Sequence, residues 1–129
     1  MARPCPRVKR FGALAPGSLR KMRRYYVAVT ENAACDLEDI VDYVRQHDSH
    51  GKAEYVLEKI TNVIDGLATA PERGSYPSEL LALGIRDFRQ VFYKPYRLIY
   101  RVAGNTVYID LIADGRRDMQ TLLARRLLG

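Results

Sequence analysis

The sequence predicts an α+β domain: a small, mostly antiparallel sheet packed on a two-helix hairpin, in the order β-α-α-β-β-β-α. Three observations predict it. Apolar residues recur at helical spacing in two adjoining segments between positions 31 and 67. Beyond position 85 the period changes to two, and YRLIYRV at 96–102 alternates strictly. Gly104-Asn105 then separates that run from a second β-rich run, TVYIDLI, as a hairpin turn requires.

Each element has a local reason. YYVAVT at 25–30 is aromatic and β-branched, so a first strand is expected there. Thr30 or Asn32 can cap a following helix, whose stripe is Ala33, Leu37, Ile40, Val41 and Val44. Residues 46–51, with His47 and His50, break the pattern. A longer stripe follows (Ala53, Val56, Leu57, Ile60, Val63, Ile64, Leu67), ended by Pro71 and Gly74. Two such helices with a short link form an antiparallel hairpin. Residues 85–93 read as extended, and Lys94-Pro95 marks a turn or an edge irregularity. The two strands around Gly104-Asn105 come next. Asp114-Gly115 then leads into a terminal helix carrying Met119, Leu122, Leu123, Arg126 and Leu127 on roughly one side. Hairpin-linked strands imply that the helices pack on one face of the sheet.

At 129 residues the chain suits one compact domain, and 47% hydrophobic with 28% charged residues is ordinary for a globular protein. No apolar run approaches the ~20 residues needed to span a bilayer, and the N-terminus has no signal-peptide core. A cytoplasmic location without membrane association is the expectation. The two cysteines, Cys5 and Cys35, are read as reduced thiols, Cys35 as a small buried side chain. Cysteine and histidine spacings match no metal-ligand pattern, so neither a metal nor a cofactor is expected.

The net charge of +6 resolves into parts. Residues 1–24 carry eight basic side chains and no acid; the remainder has thirteen basic and fifteen acidic residues. Residues 1–21 also hold three prolines and two glycines with no period, which predicts a disordered basic extension before a domain at 22–129. Three readings fit that extension: an arm for nucleic acid or an acidic partner, an organellar targeting peptide, or a start misplaced upstream of Met22. The bland one, disordered or absent, is preferred. Within the domain, residues 31–80 hold eleven acids and four bases, whereas residues 86–126 hold nine bases and four acids. The hairpin is therefore acidic. The sheet and terminal helix are basic, a surface that attracts phosphate or an acidic peptide.

Several sequence features now occur in a familiar order. They are Ala34-x-Asp36-Leu37-x-x-Ile40 with Tyr43-Val44, then Leu67-x-x-x-Pro71-x-x-Gly74, then Glu79-Leu80 and Gly84-Ile85-Arg86. Tyr96-Arg97-Leu98-Ile99-Tyr100 and Asp114-Gly115-Arg116-Arg117-Asp118-Met119 with Leu122, Leu123, Arg125 and Leu127 complete the set. Over residues 24–128 the chain resembles the RelE/ParE toxin superfamily of type II toxin–antitoxin systems, most closely its ParE-like plasmid-stabilisation branch. The resemblance implies a growth-arresting toxin, neutralised by a co-encoded antitoxin in a hetero-oligomer. One branch cleaves mRNA on the ribosome; the other binds DNA gyrase and blocks replication.

Metal-free RNA cleavage needs a base for the 2′-hydroxyl, an acid for the leaving oxygen and cations on the transition state. By resemblance, Arg97 matches an arginine that contacts the scissile phosphate, and Arg116 or Arg117 a second; Arg97 and Arg117 are the catalytic candidates if the chain is a nuclease. Acid–base groups are scarcer. The histidines lie between the helices, and Leu122-Leu123 stand where nuclease members often carry a tyrosine. Tyr96 and Tyr100 alternate to the face opposite Arg97 and are expected in the core, while Tyr93 stays available. The expectation leans away from an enzyme and toward gyrase binding, with Arg86, Arg89, Arg97, Arg101, Arg116 and Arg117 as the binding set. Ribosome-dependent mRNA cleavage and a non-toxic antitoxin-binding module are the alternatives. For the arginines themselves, ion pairs with Asp114 or Asp118, or with antitoxin carboxylates, compete with a role in toxicity.

Overall fold

A computed structural model describes residues 25–128. The proposed extension, Cys5 and the expected domain start at residue 22 lie outside the described residues. β1 (Tyr26–Val29) leads into α1 (Glu31–His47) and α2 (His50–Gly66). A short α3 (Ser78–Leu81) precedes β2 (Arg89–Tyr93), β3 (Tyr96–Ala103) and β4 (Thr106–Asp114). α4 (Met119–Leu123) runs on into a π-helical turn, Ala124–Leu128.

The hairpin forms where its caps allow. Thr30 Oγ1 accepts the Ala33 amide at 3.2 Å and donates to the Ile109 carbonyl at 3.0 Å, so one side chain starts α1 and docks it on β4. Ser49 Oγ caps α2 through the Lys52 amide at 3.0 Å. The break between the helices is therefore only Asp48-Ser49, and the two histidines occupy helix ends rather than a loop. The apolar stripes meet the sheet in one core containing Leu37, Val41, Ile60, Ile64, Leu67, Leu98 and Tyr100. Burying each such aliphatic side chain contributes roughly 1.5–3 kcal/mol, so truncating Ile60, fully buried, is expected to cost about 2–5 kcal/mol.

The sheet order is β1-β4-β3-β2. β2–β3 and β3–β4 are antiparallel, whereas β1 runs parallel to β4, which the chain reaches only by the long crossover through α1, α2, α3, β2 and β3. The β3–β4 turn uses Gly104 at φ 65°, the positive φ that a tight hairpin needs and glycine supplies without strain.

Four details depart from the sequence reading. Helices cover both faces of the sheet, not one. Met119, Leu122 and Leu123 need an apolar surface and find it on Ile99, Leu111, Ala113 and Leu80, which form a second core behind the hairpin. The segment expected to be extended from Ile85 becomes strand only at Arg89, because the α3 turn and Gly84 at φ 78° redirect the chain and Ile85 and Phe88 pack on the second core. β4 does not keep one alternation. Ile99 pairs with Leu111 and Tyr100 with Ile109, leaving Asp110 as a bulge that moves Leu111 to the second core while Val107 and Ile109 face the hairpin. Finally, Cys35 is a free thiol of intermediate exposure rather than a buried one.

Candidate functional site

Arg97 follows the first residue of β3 and points away from the hairpin. α3 holds Glu79 against it: Nη1 and Nη2 donate to the two carboxylate oxygens, each at 3.0 Å. Arg97 Nε donates to Gln90 Oε1 at 3.0 Å, and Nη2 also bonds the same oxygen. The side chain is only 11% exposed. These bonds hold the Glu79 carboxyl below its ordinary range, against the opposing effect of burial. Gly115 completes the fit: a Cβ there would stand 3.0 Å from Arg97 Cδ and 3.1 Å from Cγ. The glycine of the Asp114-Gly115-Arg116-Arg117 run thus makes room for the aliphatic stem of Arg97.

Arg101 shares that face of β3, as the strand alternation predicts. Its Nε donates to the bulged Asp110 at 3.0 Å, and its guanidinium lies over the Tyr108 ring at 4.5 Å. Burial raises the Asp110 carboxyl and Arg101 partly offsets the rise. Beside it, Arg126 reaches Asp36 on α1 and the Asp110 carbonyl, while Asp36 also accepts the Ile112 amide at 3.1 Å. Burial raises the Asp36 carboxyl, and the hydrogen bond and charge of Arg126 oppose that rise. Arg116 closes a local fork on Asp114, at 2.9 and 2.6 Å, whose carboxyl is held down by it. Of the competing readings for Arg116 and Arg117, the ion pair to Asp114 describes Arg116. Arg117 makes no ion pair among the described residues.

The remaining sequence-predicted arginines meet in a groove. Arg86, Arg89 and Arg101 line an open cavity of about 550 Å³ with Tyr25, Tyr76 and Phe88. Arg89 donates to the Gly74 carbonyl at 2.9 Å and to the Tyr76 hydroxyl at 3.2 Å, and its guanidinium sits 4.6 Å from the Tyr76 ring centroid. Arg86 lies 5.9 Å from the same ring. Such stacked guanidiniums keep N–H donors for a carboxylate or phosphate while the ring fixes their planes. The structure therefore brings Arg86, Arg89 and Arg101 together, buries Arg97 beneath α3, and leaves Arg116 and Arg117 after β4, outside the groove lining.

Sequence reasoning missed Glu79, Gln90, Tyr76 and Asp36 as partners. Glu79-Leu80 and Asp36 stood inside the quoted motifs, yet neither strand period nor charge counts reveal a bond across 18 or 90 positions. No helix among the described residues is long and apolar enough to cross a membrane.

A three-layer α+β domain with an acidic hairpin on one side of the sheet and arginine-bearing strands on the other is what a small toxin of the RelE/ParE kind would present. Comparison with known proteins identifies the family. The model for the ParE toxin of the type II toxin–antitoxin system parDE matches residues 27–119, and the chain belongs to that family. Among solved structures, the chain is similar to one described as the chromosomal ParDE TA system from P. aeruginosa. The two share 21% identity with a TM-score of 0.58, over 68% of this chain and 92% of the other. At that identity the likeness is one of fold. No curated protein matches the chain.

Proposed function

We propose that this ParE-family chain is a cytoplasmic toxin, neutralised by a co-encoded antitoxin in a hetero-oligomer, that arrests growth by binding DNA gyrase rather than by cutting mRNA. The observation that carries this reading is the Glu79–Arg97–Gln90 cluster. A nuclease would need Arg97 free to meet a phosphate, but here its three nitrogens already bond to protein acceptors and the side chain is nearly buried. The rest of the second face supports the same conclusion. Leu122 and Leu123 are buried in the second core, so they present no proton donor there. Tyr100 is spent on the Pro71 carbonyl at 2.7 Å and the Gly74 amide at 3.1 Å. His47 and His50 belong to the hairpin ends.

The groove with Arg86, Arg89 and Arg101, together with Arg117, then serves protein recognition: guanidiniums on aromatic rings are common anchors of protein interfaces. The deciding experiment pairs two assays. Purified chain should inhibit gyrase supercoiling while leaving mRNA intact on translating ribosomes, and the antitoxin encoded beside its gene should relieve the inhibition. Codon-phased mRNA cleavage with unaffected gyrase would replace this reading with the nuclease one. Normal growth on expression of folded protein would leave only a non-toxic antitoxin-binding module.

A further inference from the structure

A second cleft lies where the helical hairpin meets the β2–β3 turn, and it shares no lining residue with the arginine groove. Its volume is about 360 Å³, inside the range of roughly 300–1,000 Å³ seen for small-ligand sites. Four rings line it: Tyr43 and His47 from α1, and Tyr93 and Tyr96 from the strands on either side of the turn. Two cations, Lys52 from α2 and Lys94 from the turn, line it as well.

The Tyr43 and His47 rings stack with centroids 4.0 Å apart and planes 20° from parallel. His47 Nδ1 lies 3.0 Å from the Tyr43 carbonyl oxygen; when that nitrogen carries the proton it donates there, and Nε2 is left as an acceptor. Packing does not account for Tyr43. It is 61% exposed, the most exposed of the large hydrophobic side chains among the described residues, yet its ring is held in place by the histidine. Lys94 makes no ion pair among the described residues, and neither does Lys52.

We propose that this cleft binds a nucleotide, its base stacked on the Tyr43–His47 platform and its phosphate held by Lys52 and Lys94. Rings and cations within one cleft are the two elements that nucleotide recognition combines, one for the π-face and one for the phosphate. An acidic peptide supplies anions but no planar base for the rings, and a lipid headgroup has the same deficit. The single carboxylate in the lining, Asp48, leaves the cations in excess. The site does not depend on whether gyrase is the toxin's target.

The same chemistry is offered by a free nucleotide and by an unstacked nucleotide within a single strand, and the test separates the two. The full chain is titrated with AMP, with a single-stranded oligothymidylate of about eight nucleotides, and with inorganic phosphate. Saturable binding of AMP identifies a free-nucleotide site; binding of the oligonucleotide without AMP identifies a single-strand site. In either case Tyr43→Ala and Lys94→Ala each weaken binding about fivefold or more, Tyr43→Phe restores it, and the melting temperature stays unchanged because both side chains are exposed. The proposal is overturned if neither nucleotide probe binds, or if phosphate alone competes as well as AMP. It is also overturned if binding survives Tyr43→Ala, because the basic residues of 1–24 attract any polyanion without help from the cleft.

Discussion

Arg126 in the C-terminal π-helical turn donates through Nη1 and Nη2 to the two carboxylate oxygens of Asp36 on α1, at 3.1 and 2.9 Å. The pair joins residues 90 positions apart and fastens the end of the chain over the bulge in β4, since Asp36 also accepts the Ile112 amide and Arg126 also donates to the Asp110 carbonyl. Because burial raises the Asp36 carboxyl despite Arg126, desolvation outweighs what the partner returns.

Arg126→Ala should therefore destabilise the domain by about 2–4 kcal/mol in chemical denaturation, less than a fully buried pair because each side chain remains about 20% exposed. The loss should depend on pH. Without its cation the half-buried Asp36 carboxyl rises further, and a raised folded-state pKa contributes stability only below the unfolded value near 3.8, which is lost as pH climbs through the folded one. The deficit should thus be larger at about pH 7 than at about pH 4. Equal deficits at both would mean that Arg126 does not hold the Asp36 carboxyl down.

Glu79 predicts the opposite pH sign. Hydrogen bonds from Arg97 depress its carboxyl, so its contribution is present above the unfolded value near 4.5 and disappears as pH falls through the lower folded value. Glu79→Gln should cost roughly 1–3 kcal/mol near neutrality, and the difference from the wild type should close in the acid limb below 4.5. Parallel stability curves for the two proteins down to strong acid would count against the ion pair.

Much of this fold was legible because period and punctuation carry it. The two stripes located the hairpin, the alternation of β3 placed Leu98 and Tyr100 opposite Arg97, and Gly104-Asn105 placed the turn. What escaped has one physical cause: partners chosen by tertiary contact leave no local period. The bulge at Asp110 reads as ordinary alternation in TVYIDLI, and α3 is a single turn too short to show a stripe. The site divides the same way. Arginine positions were readable, but whether an arginine faces solvent depends on Glu79, Asp110, Asp114 and Asp36, which only the folded chain brings near.

Tyr100 offers a test of the hairpin-side core. Its hydroxyl donates to the Pro71 carbonyl at 2.7 Å and accepts the Gly74 amide at 3.1 Å, pinning the link after α2 to the sheet. Tyr100→Phe orphans both backbone groups and should lower stability by about 1–3 kcal/mol. Gly74→Ala should be worse, because its Cβ would fall 2.6 Å from both the Gln90 carbonyl oxygen and the Tyr100 hydroxyl. A melt of Gly74→Ala matching the wild type would mean that this link shifts freely.

The arginines should separate into those that hold the fold and those that act on a target. Arg97→Ala leaves Glu79 with no cation in a site that is mostly closed to solvent, so it should cost about 2–4 kcal/mol and reduce toxicity through loss of folded protein. Arg117→Ala and Arg86→Ala remove exposed side chains without an ion pair among the described residues, so each should change stability by less than about 0.5 kcal/mol. If these two side chains meet the target, growth arrest should weaken in both while the denaturation midpoint stays fixed. The comparison needs growth curves and melts on the same variants. Full toxicity in Arg86→Ala and Arg117→Ala would remove the basic groove and the segment after β4 from the mechanism. Loss of toxicity in Arg97→Ala with an unchanged midpoint would instead mean that its guanidinium leaves Glu79 to act, and the nuclease reading would regain its cation.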